Sequence, residues 1–140
     1  MKKPTVVFIC TENSARSLMA EAIAKQRYSD RFEVFSAGTA PTTPDAKALK
    51  ALAGHSFETA NLSSKSLAEL TDVSIDYAII LCSKANQECA EGLAAKHILS
   101  WDFPDPKVGN TDKTYETTIH ELAERLNMFV LLYDKEVRVK

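Results

Sequence analysis

The sequence lacks both long apolar segments and an excess of positive charge. Its longest apolar segments, Tyr77 to Cys82 and Met128 to Tyr133, are far shorter than the roughly 20 residues that cross a bilayer. The 140 residues carry a formal net charge of -2, so no overall basic field supports nonspecific binding of nucleic acid. We therefore expect neither a membrane protein nor a nucleic-acid-binding protein, and any anion site must be local.

We also expect no secretory signal, because the opening letters MKKP lead into a strand-like segment without a long apolar stretch and a small-residue cleavage site. We therefore expect a cytoplasmic protein, whose thiols are normally kept reduced. The three cysteines, Cys10, Cys82 and Cys89, then favour reactive thiols over a structural disulfide, although small buried hydrophobic side chains remain an alternative. The three histidines share no spacing with the cysteines, so no metal site is expected.

The hydrophobic pattern predicts one α/β domain over residues 1–140, with 45% hydrophobic and 26% charged residues. Strands are predicted at Thr5 to Ile9, Phe32 to Ser36, Asp76 to Leu81 and His97 to Leu99. Helices are predicted from Ala15 onward, from Pro44 to Gly54 with Thr43 as N-cap, from Ser63 to Leu70, marginally from Lys84 to Leu93, and from Thr114 to Leu132. Strands that alternate with helices imply a parallel sheet covered on both faces.

Cys10 ends the first strand, at the edge where parallel sheets bind ligands, and Cys82 ends the third strand at the same edge. Backbone amides between a strand and a helix start suit a tetrahedral oxyanion, and Arg16 adds a planar fork of donors. The same positive field is expected to lower the pKa of the Cys10 thiol and make it a nucleophile. The predicted oxyanion loop comprises Thr11, Glu12, Asn13, Ser14, Ala15, Arg16 and Ser17.

The stretch CTENSARSLMAE resembles the phosphate-binding loop and first helix of the low-molecular-weight protein tyrosine phosphatase superfamily. The resemblance extends through VFSAGT, LCSKANQEC and WDFPDP, which covers most of the chain in the right order. It implies a three-layer flavodoxin-like fold with a central four-stranded parallel sheet. One branch, the thioredoxin-coupled arsenate reductases, looks closer, because its members carry a loop cysteine and two further cysteines seven apart, as Cys10, Cys82 and Cys89 stand here.

The resemblance implies a relay in which Cys10 attacks arsenate, Cys82 attacks Cys10 to release arsenite, and Cys89 takes over to form a disulfide with Cys82. Thioredoxin, or alternatively a glutaredoxin, would reduce that disulfide. Residues seven apart in a helix are roughly 10.5 Å apart, beyond the roughly 7 Å limit for a disulfide. The segment between Cys82 and Cys89 would therefore have to unwind, and its polar composition favours that. Asp105 matches the general acid of the family, with Asp102 as a nearby rival.

Two other functions remain open. A phosphatase would use Cys10, Arg16 and Asp105 through a cysteinyl phosphate. The resemblance implies a weak form of that activity in the reductases too, because the pocket is the same. A signalling module would bind an anion such as phosphate or arsenate, or carry a phosphate on Cys10, without turnover. Replacement of Cys82 or Cys89 discriminates between the two enzymes, since only the reductase needs those thiols.

Two positions depart from the resembling sequences. Glu12 stands where glycine is usual, and we expect its carboxylate to face solvent, because an inward carboxylate would repel the anion. Lys65 stands where some relatives have an acidic residue that binds potassium together with residues matching Asn13, Glu21 and Ser36. The Lys65 ammonium can occupy that space instead, or Lys65 can be a solvated surface lysine. We therefore expect no potassium site and no tightly bound cofactor.

Overall fold

The fold is given by a computed structural model that describes residues 3–70, 72–82 and 94–139, with side chains through residue 136. The strands are β1 (Thr5–Cys10), β2 (Glu33–Gly38), β3 (Ile75–Ile80) and β4 (Ala95–Ser100). The described helices are α1 (Arg16–Tyr28), α2 (Ala46–Gly54), α3 (Pro106–Gly109) and α4 (Asp112–Val139), with a 3-10 turn at Leu67–Leu70. All neighbouring strands are parallel, in the order β2-β1-β3-β4. This confirms the predicted four-stranded flavodoxin-like fold.

Strand β1 lies at the centre of the sheet, and all six of its residues are buried. Because successive side chains of a strand point to opposite faces, Val6 and Phe8 enter the larger core, which includes side chains of α1, α2 and α4. Val7 and Ile9 enter a second core on the other face. The apolar and β-branched composition of this segment therefore reflects burial on both faces, as parallel strands require.

The predicted strands all occur, but their ends differ by one or two residues. Strand β2 continues to Gly38, because Ala37 and Gly38 pair with Ile9 and Cys10 of β1. Strand β4 is longer than predicted and runs along β3 from Ala95 to Ser100. Pairing with a neighbouring strand, which local sequence does not reveal, sets these limits.

The predicted start of α2 at Thr43 and Pro44 is wrong. The helix begins at Ala46, and Asp45 is the N-cap: its backbone is extended, and Oδ1 accepts a hydrogen bond from Lys47 N at 3.3 Å. The backbone N of Asp45 also donates to the carbonyl oxygen of Ser14 at 2.8 Å. A carboxylate is a strong N-cap, and here it is held in place by the loop after β1.

The helix predicted from Ser63 to Leu70 is also wrong, since only the 3-10 turn at Leu67–Leu70 forms. Ser66 pairs with Gly38 in an isolated parallel bridge, which keeps the chain extended up to that point. The hydroxyl of Ser66 then accepts a hydrogen bond from Ala68 N at 3.2 Å and starts the turn. Contact with the sheet has therefore overridden local helix propensity.

The C-terminal helix α4 starts two residues earlier and ends seven residues later than predicted, and the short helix α3 was not predicted. The predicted marginal helix at Lys84 to Leu93, including Cys89, lies outside the described residues. Among the residues that are described, no helix is long and apolar enough to cross a membrane.

Gly38 should be intolerant of a side chain, because a Cβ there would lie 2.6 Å from the carbonyl oxygen of Thr11 and 3.0 Å from Asn13 N. We expect Gly38→Ala to lower the free energy of unfolding by about 1–3 kcal/mol, as overpacking does. Gly54→Ala is the matched control, since a Cβ there meets open space, and it should be neutral or stabilising by up to about 1 kcal/mol. Urea unfolding measures both changes, and a Gly38→Ala variant as stable as the wild type would contradict the packing described.

Candidate active site

The loop after β1 takes a sharp turn at Asn13, whose φ is 50°. This is the left-handed conformation, which an asparagine in a tight loop tolerates better than most residues do. Glu12 has no positive φ, so position 12 does not require glycine here. The side chain of Glu12 therefore causes no backbone strain at its own position.

The buried side chain of Asn13 holds this loop in place. Its Nδ2 donates to Ser17 Oγ at 2.7 Å and to Ser36 Oγ at 3.0 Å, and its Oδ1 accepts from the backbone N of Lys65 at 2.8 Å. The carbonyl oxygen of Asn13 accepts a further bond from Ser64 Oγ at 2.6 Å. A buried amide with all these partners joins α1, β2 and the segment before the 3-10 turn, so it fixes one loop conformation.

A second polar cluster lies behind the loop around Glu21, which is 1% exposed. Its carboxylate accepts a short hydrogen bond from Ser36 Oγ. Two ammonium groups balance its charge: Lys25 Nζ lies 2.7 Å from Oε2, and Lys65 Nζ lies 3.6 Å from Oε1. The carboxylate is therefore paired and hydrogen-bonded, as a buried charge must be. In the described part of the chain, no group of three or more acidic, cysteine or histidine side chains could hold a metal ion.

Cys10 and Cys82 lie side by side at the carboxyl edge of the sheet. Cys10 is the last residue of β1, and Cys82 comes two residues after the end of the adjacent parallel strand β3. Both are buried thiols, and their side chains are within hydrogen-bonding reach of each other. Thr11 Oγ1 also lies 3.5 Å from Cys82 Sγ. The structure thus brings together two of the three cysteines predicted to react, while Cys89 lies outside the described residues.

The expectation that the loop lowers the pKa of Cys10 is wrong for the pair of reduced thiols. The hydrogen bond with Cys82 raises the pKa of the Cys10 thiol most strongly, and burial raises it further. The Arg16 guanidinium and the backbone amide of Thr11 act in the opposite direction and lower it, but the net effect is a raised pKa. The sequence argument considered the loop alone and not the neighbouring sulfur.

Arg16 connects the loop to the segment that carries Asp105. Its Nη1 donates to the carbonyl oxygen of Phe103 at 2.7 Å, and its Nη2 lies 3.7 Å from Asp105 Oδ2. Asp105 is also the N-cap of α3, since its Oδ1 accepts from Lys107 N at 3.0 Å. Asp105 lines the pocket over Cys10, whereas Asp102 is exposed and does not line it. The geometry therefore favours Asp105 over its rival.

Lys107 is a pocket residue that the sequence analysis missed. Its Nζ donates to Ser14 Oγ at 2.5 Å and forms an ion pair with Glu12 Oε1 at 3.3 Å. Glu12 is 48% exposed, in accord with the expectation that it faces solvent. Thr42 Oγ1 also lies 3.4 Å from Glu12 Oε1. The only signal for Lys107 in the sequence was its place two positions after Asp105.

These groups enclose one small pocket at the carboxyl edge of the sheet. Its lining residues are Cys10, Thr11, Glu12, Ser14, Ala15, Arg16, Asp105 and Lys107. Asn13 and Ser17, predicted as members of the oxyanion loop, do not line it and are buried behind it as support. A buried sulfur beneath a guanidinium and an ammonium is an arrangement that can bind an oxyanion and attack its central atom.

Comparison with known proteins agrees with this geometry. The family described as low molecular weight phosphotyrosine protein phosphatase matches residues 5–139. An arsenate reductase of Bacillus cereus (strain Q1) is 33% identical over 131 residues, which cover 91% of this chain and 94% of that protein.

Two solved structures share the fold. A YwlE arginine phosphatase superposes with a TM-score of 0.82 at 25% identity, over 97% of this chain and 99% of the other. A thioredoxin-dependent arsenate reductase of Corynebacterium glutamicum superposes with a TM-score of 0.72 at 24% identity, over 92% of this chain and 63% of the other. With the family match over nearly the whole chain, these findings show that the chain belongs to the low molecular weight phosphotyrosine protein phosphatase family.

Proposed function

We propose that this enzyme reduces arsenate to arsenite, with Cys10 as the nucleophile and Cys82 and Cys89 as the cysteines that carry away the oxidation. The observation that supports this proposal most is the second buried thiol, Cys82, within hydrogen-bonding reach of Cys10. A phosphatase needs a nucleophile, an anion site and an acid, but it has no use for a second sulfur beside the first. The similarity to an arsenate reductase over 131 residues points the same way.

The first two steps transfer two electrons from Cys10 and Cys82 to arsenic. The Cys10 sulfur bonds to arsenic(V), and one arsenate oxygen leaves as water after protonation by Asp105. The thiolate of Cys82 then attacks the Cys10 sulfur, and the sulfur–arsenic bond breaks with its electron pair on arsenic. Arsenic leaves as arsenite in the +3 state, and the two cysteines lose two electrons to form a Cys10–Cys82 disulfide.

The third step returns Cys10 to the thiol form. Cys89 attacks Cys82, which releases Cys10 and leaves a Cys82–Cys89 disulfide for an external dithiol to reduce. We propose thioredoxin as that dithiol, with support from the structurally similar reductase that is described as thioredoxin-dependent. A glutaredoxin could replace it. The reaction requires a compartment in which thiols are kept reduced, and the cytoplasm meets that requirement.

The coupled reduction of arsenate tests the relay. With arsenate, thioredoxin, thioredoxin reductase and NADPH, the wild type should oxidise NADPH in an arsenate-dependent manner, measured by nicotinamide absorbance. Cys82→Ser and Cys89→Ser should each abolish turnover, because a hydroxyl cannot form the disulfide. Cys10→Ser should abolish it as well, by loss of the nucleophile. Arsenate turnover that survives in Cys82→Ser or Cys89→Ser would contradict the relay.

A second candidate function is hydrolysis of phosphate monoesters, which the Cys10, Arg16 and Asp105 geometry also favours. The same serine variants separate the two functions. Cleavage of p-nitrophenyl phosphate should survive in Cys82→Ser and Cys89→Ser but not in Cys10→Ser. A protein that binds inorganic phosphate and is inactive in both assays would instead be an anion-binding module.

The pKa of Cys10 should fall when Cys82 is removed, because the hydrogen bond to Cys82 is the largest cause that raises it. A lower pKa means more thiolate at a given pH, so Cys10 in the Cys82→Ala/Cys89→Ala variant should react with iodoacetamide faster at pH 8. The Cys89→Ala variant, which keeps Cys82, is the matched control. The pH dependence of the alkylation rate gives both pKa values, and equal values would rule out the thiol–thiol interaction described.

We further propose that the protein needs no potassium ion. The carboxylate of Glu21, which would have to bind the ion, already has the Lys65 ammonium at 3.6 Å and the Lys25 ammonium at 2.7 Å. An added cation at this position would be repelled by both lysines. The residues present therefore do not fit a potassium site.

Exchange of potassium chloride for sodium chloride at equal ionic strength should leave the melting temperature and the arsenate reductase activity unchanged. Lys65→Met should lower the melting temperature, because it leaves the buried carboxylate with one fewer partner. Lys50→Met is the matched control, since it also removes one lysine, but the Lys50 side chain is exposed and pairs with the exposed Asp112 rather than with a buried carboxylate. A wild-type protein stabilised by potassium but not by sodium would show that the site binds the ion after all.

A further inference from the structure

Lys107 takes no part in the proposed chemistry, yet its ammonium reaches into the pocket. It belongs to the first turn of α3, and Asp105, which caps that turn, fixes the backbone N of Lys107 at 3.0 Å. From there the side chain crosses to the loop after β1 and contacts Ser14 Oγ and Glu12 Oε1. Two walls of the pocket are therefore joined by a single ammonium group.

The exposed fractions of the lining groups order them from the bottom of the pocket to its rim. Cys10 is 5% exposed and Arg16 13%, whereas Lys107 is 33% and Glu12 48% exposed. The ion pair of Glu12 with Lys107 therefore lies at the rim, above the sulfur and the guanidinium. The Asp105 side chain is also 33% exposed, so Glu12, Lys107 and Asp105 are the lining groups that a substituent on a bound oxyanion would meet nearest to solvent.

The charges of Glu12 and Lys107 affect how strongly the pocket can bind an oxyanion. An unpaired carboxylate at position 12 would repel an oxyanion, and the Lys107 ammonium cancels that charge at 3.3 Å. Arg16 is held by the Phe103 carbonyl oxygen and by Asp105, which keeps its fork oriented. Lys107 is bound instead by a half-exposed carboxylate and a neutral hydroxyl. Its flexible side chain can exchange that carboxylate for a ligand oxygen at small cost.

We infer that Lys107 is a specificity-determining residue that moves its ammonium from Glu12 to a bound oxyanion, so that the site selects small inorganic oxyanions over organic phosphates. Glu12 competes with the ligand for the ammonium and sets the affinity. A free phosphate or arsenate fits below the rim and gains the contact. A bulky ester or phosphonate substituent displaces the Lys107 side chain, so that ligand makes no contact with the ammonium. The inference deepens the proposed reduction of arsenate by naming the substrate class of the same pocket.

Binding measurements test this without turnover. Isothermal titration of the full-length reduced protein with inorganic phosphate gives the affinity, and phenylphosphonate serves as the bulky, non-hydrolysable probe. Lys107→Met should weaken phosphate binding about tenfold, the usual effect of losing a hydrogen bond to a charged group. Binding of phenylphosphonate should change less than about threefold, because that ligand does not use the ammonium. Lys107→Arg should restore most of the affinity for phosphate.

Glu12 supplies the second half of the test. Glu12→Gln should strengthen phosphate binding about threefold in the presence of Lys107, and this gain should be smaller in the Lys107→Met background, since the two residues act as a unit. Lys50→Met is the matched control for a change in net charge, because Lys50 is exposed on α2 and pairs with Asp112 instead. It should leave both affinities unchanged.

Two other results would contradict the inference, one of them entirely and one in part. Equal phosphate affinity in the wild type and Lys107→Met would overturn the inference entirely. Equal weakening of phosphate and phenylphosphonate would overturn the selection by size. Because these measurements require neither thioredoxin nor arsenate turnover, a protein that binds phosphate through Lys107 but reduces no arsenate would contradict only the proposed function.

Discussion

The parallel pairing of β1 with both of its neighbours is the constraint on which the site depends. Because β1 lies between β2 and β3 and all three run in the same direction, their carboxyl ends meet at one edge. That edge places Cys10 next to Gly38 on one side and Cys82 on the other. The absence of a Cβ at Gly38 lets the loop after β1 pass within contact distance of β2. A different strand order would separate the two sulfurs.

The polar groups behind the loop keep it in one shape. The buried amide of Asn13 links Ser17 and Ser36, and Ser36 in turn donates to the carboxylate of Glu21. Lys65 enters the same network with its backbone N on Asn13 and its ammonium near Glu21. A network whose members are all hydrogen-bonded is rigid, and this rigidity holds the loop after β1 in one conformation. The Lys65 ammonium supplies positive charge beside the buried Glu21 carboxylate.

The chemistry of the pocket rests on opposing electrostatic effects. Cys82 and burial raise the pKa of Cys10, whereas Arg16 lowers it. A buried pair that holds its protons is a pair of weak nucleophiles, because the reactive form is the thiolate. The same opposition occurs at the rim, where the ammonium of Lys107 cancels the charge of Glu12.

The sequence by itself determined the parallel α/β fold and the place of Cys10, because apolar periodicity and a loop between strand and helix are local features. It also indicated Arg16 through its place in that loop, and Asp105 through the resemblance. Only the tertiary structure decided which groups touch. Asp45 caps α2 through a contact with the loop, and Lys107 reaches the pocket across a separation of more than ninety residues from Ser14. Such contacts depend on how distant segments pack, and no local pattern encodes that distance.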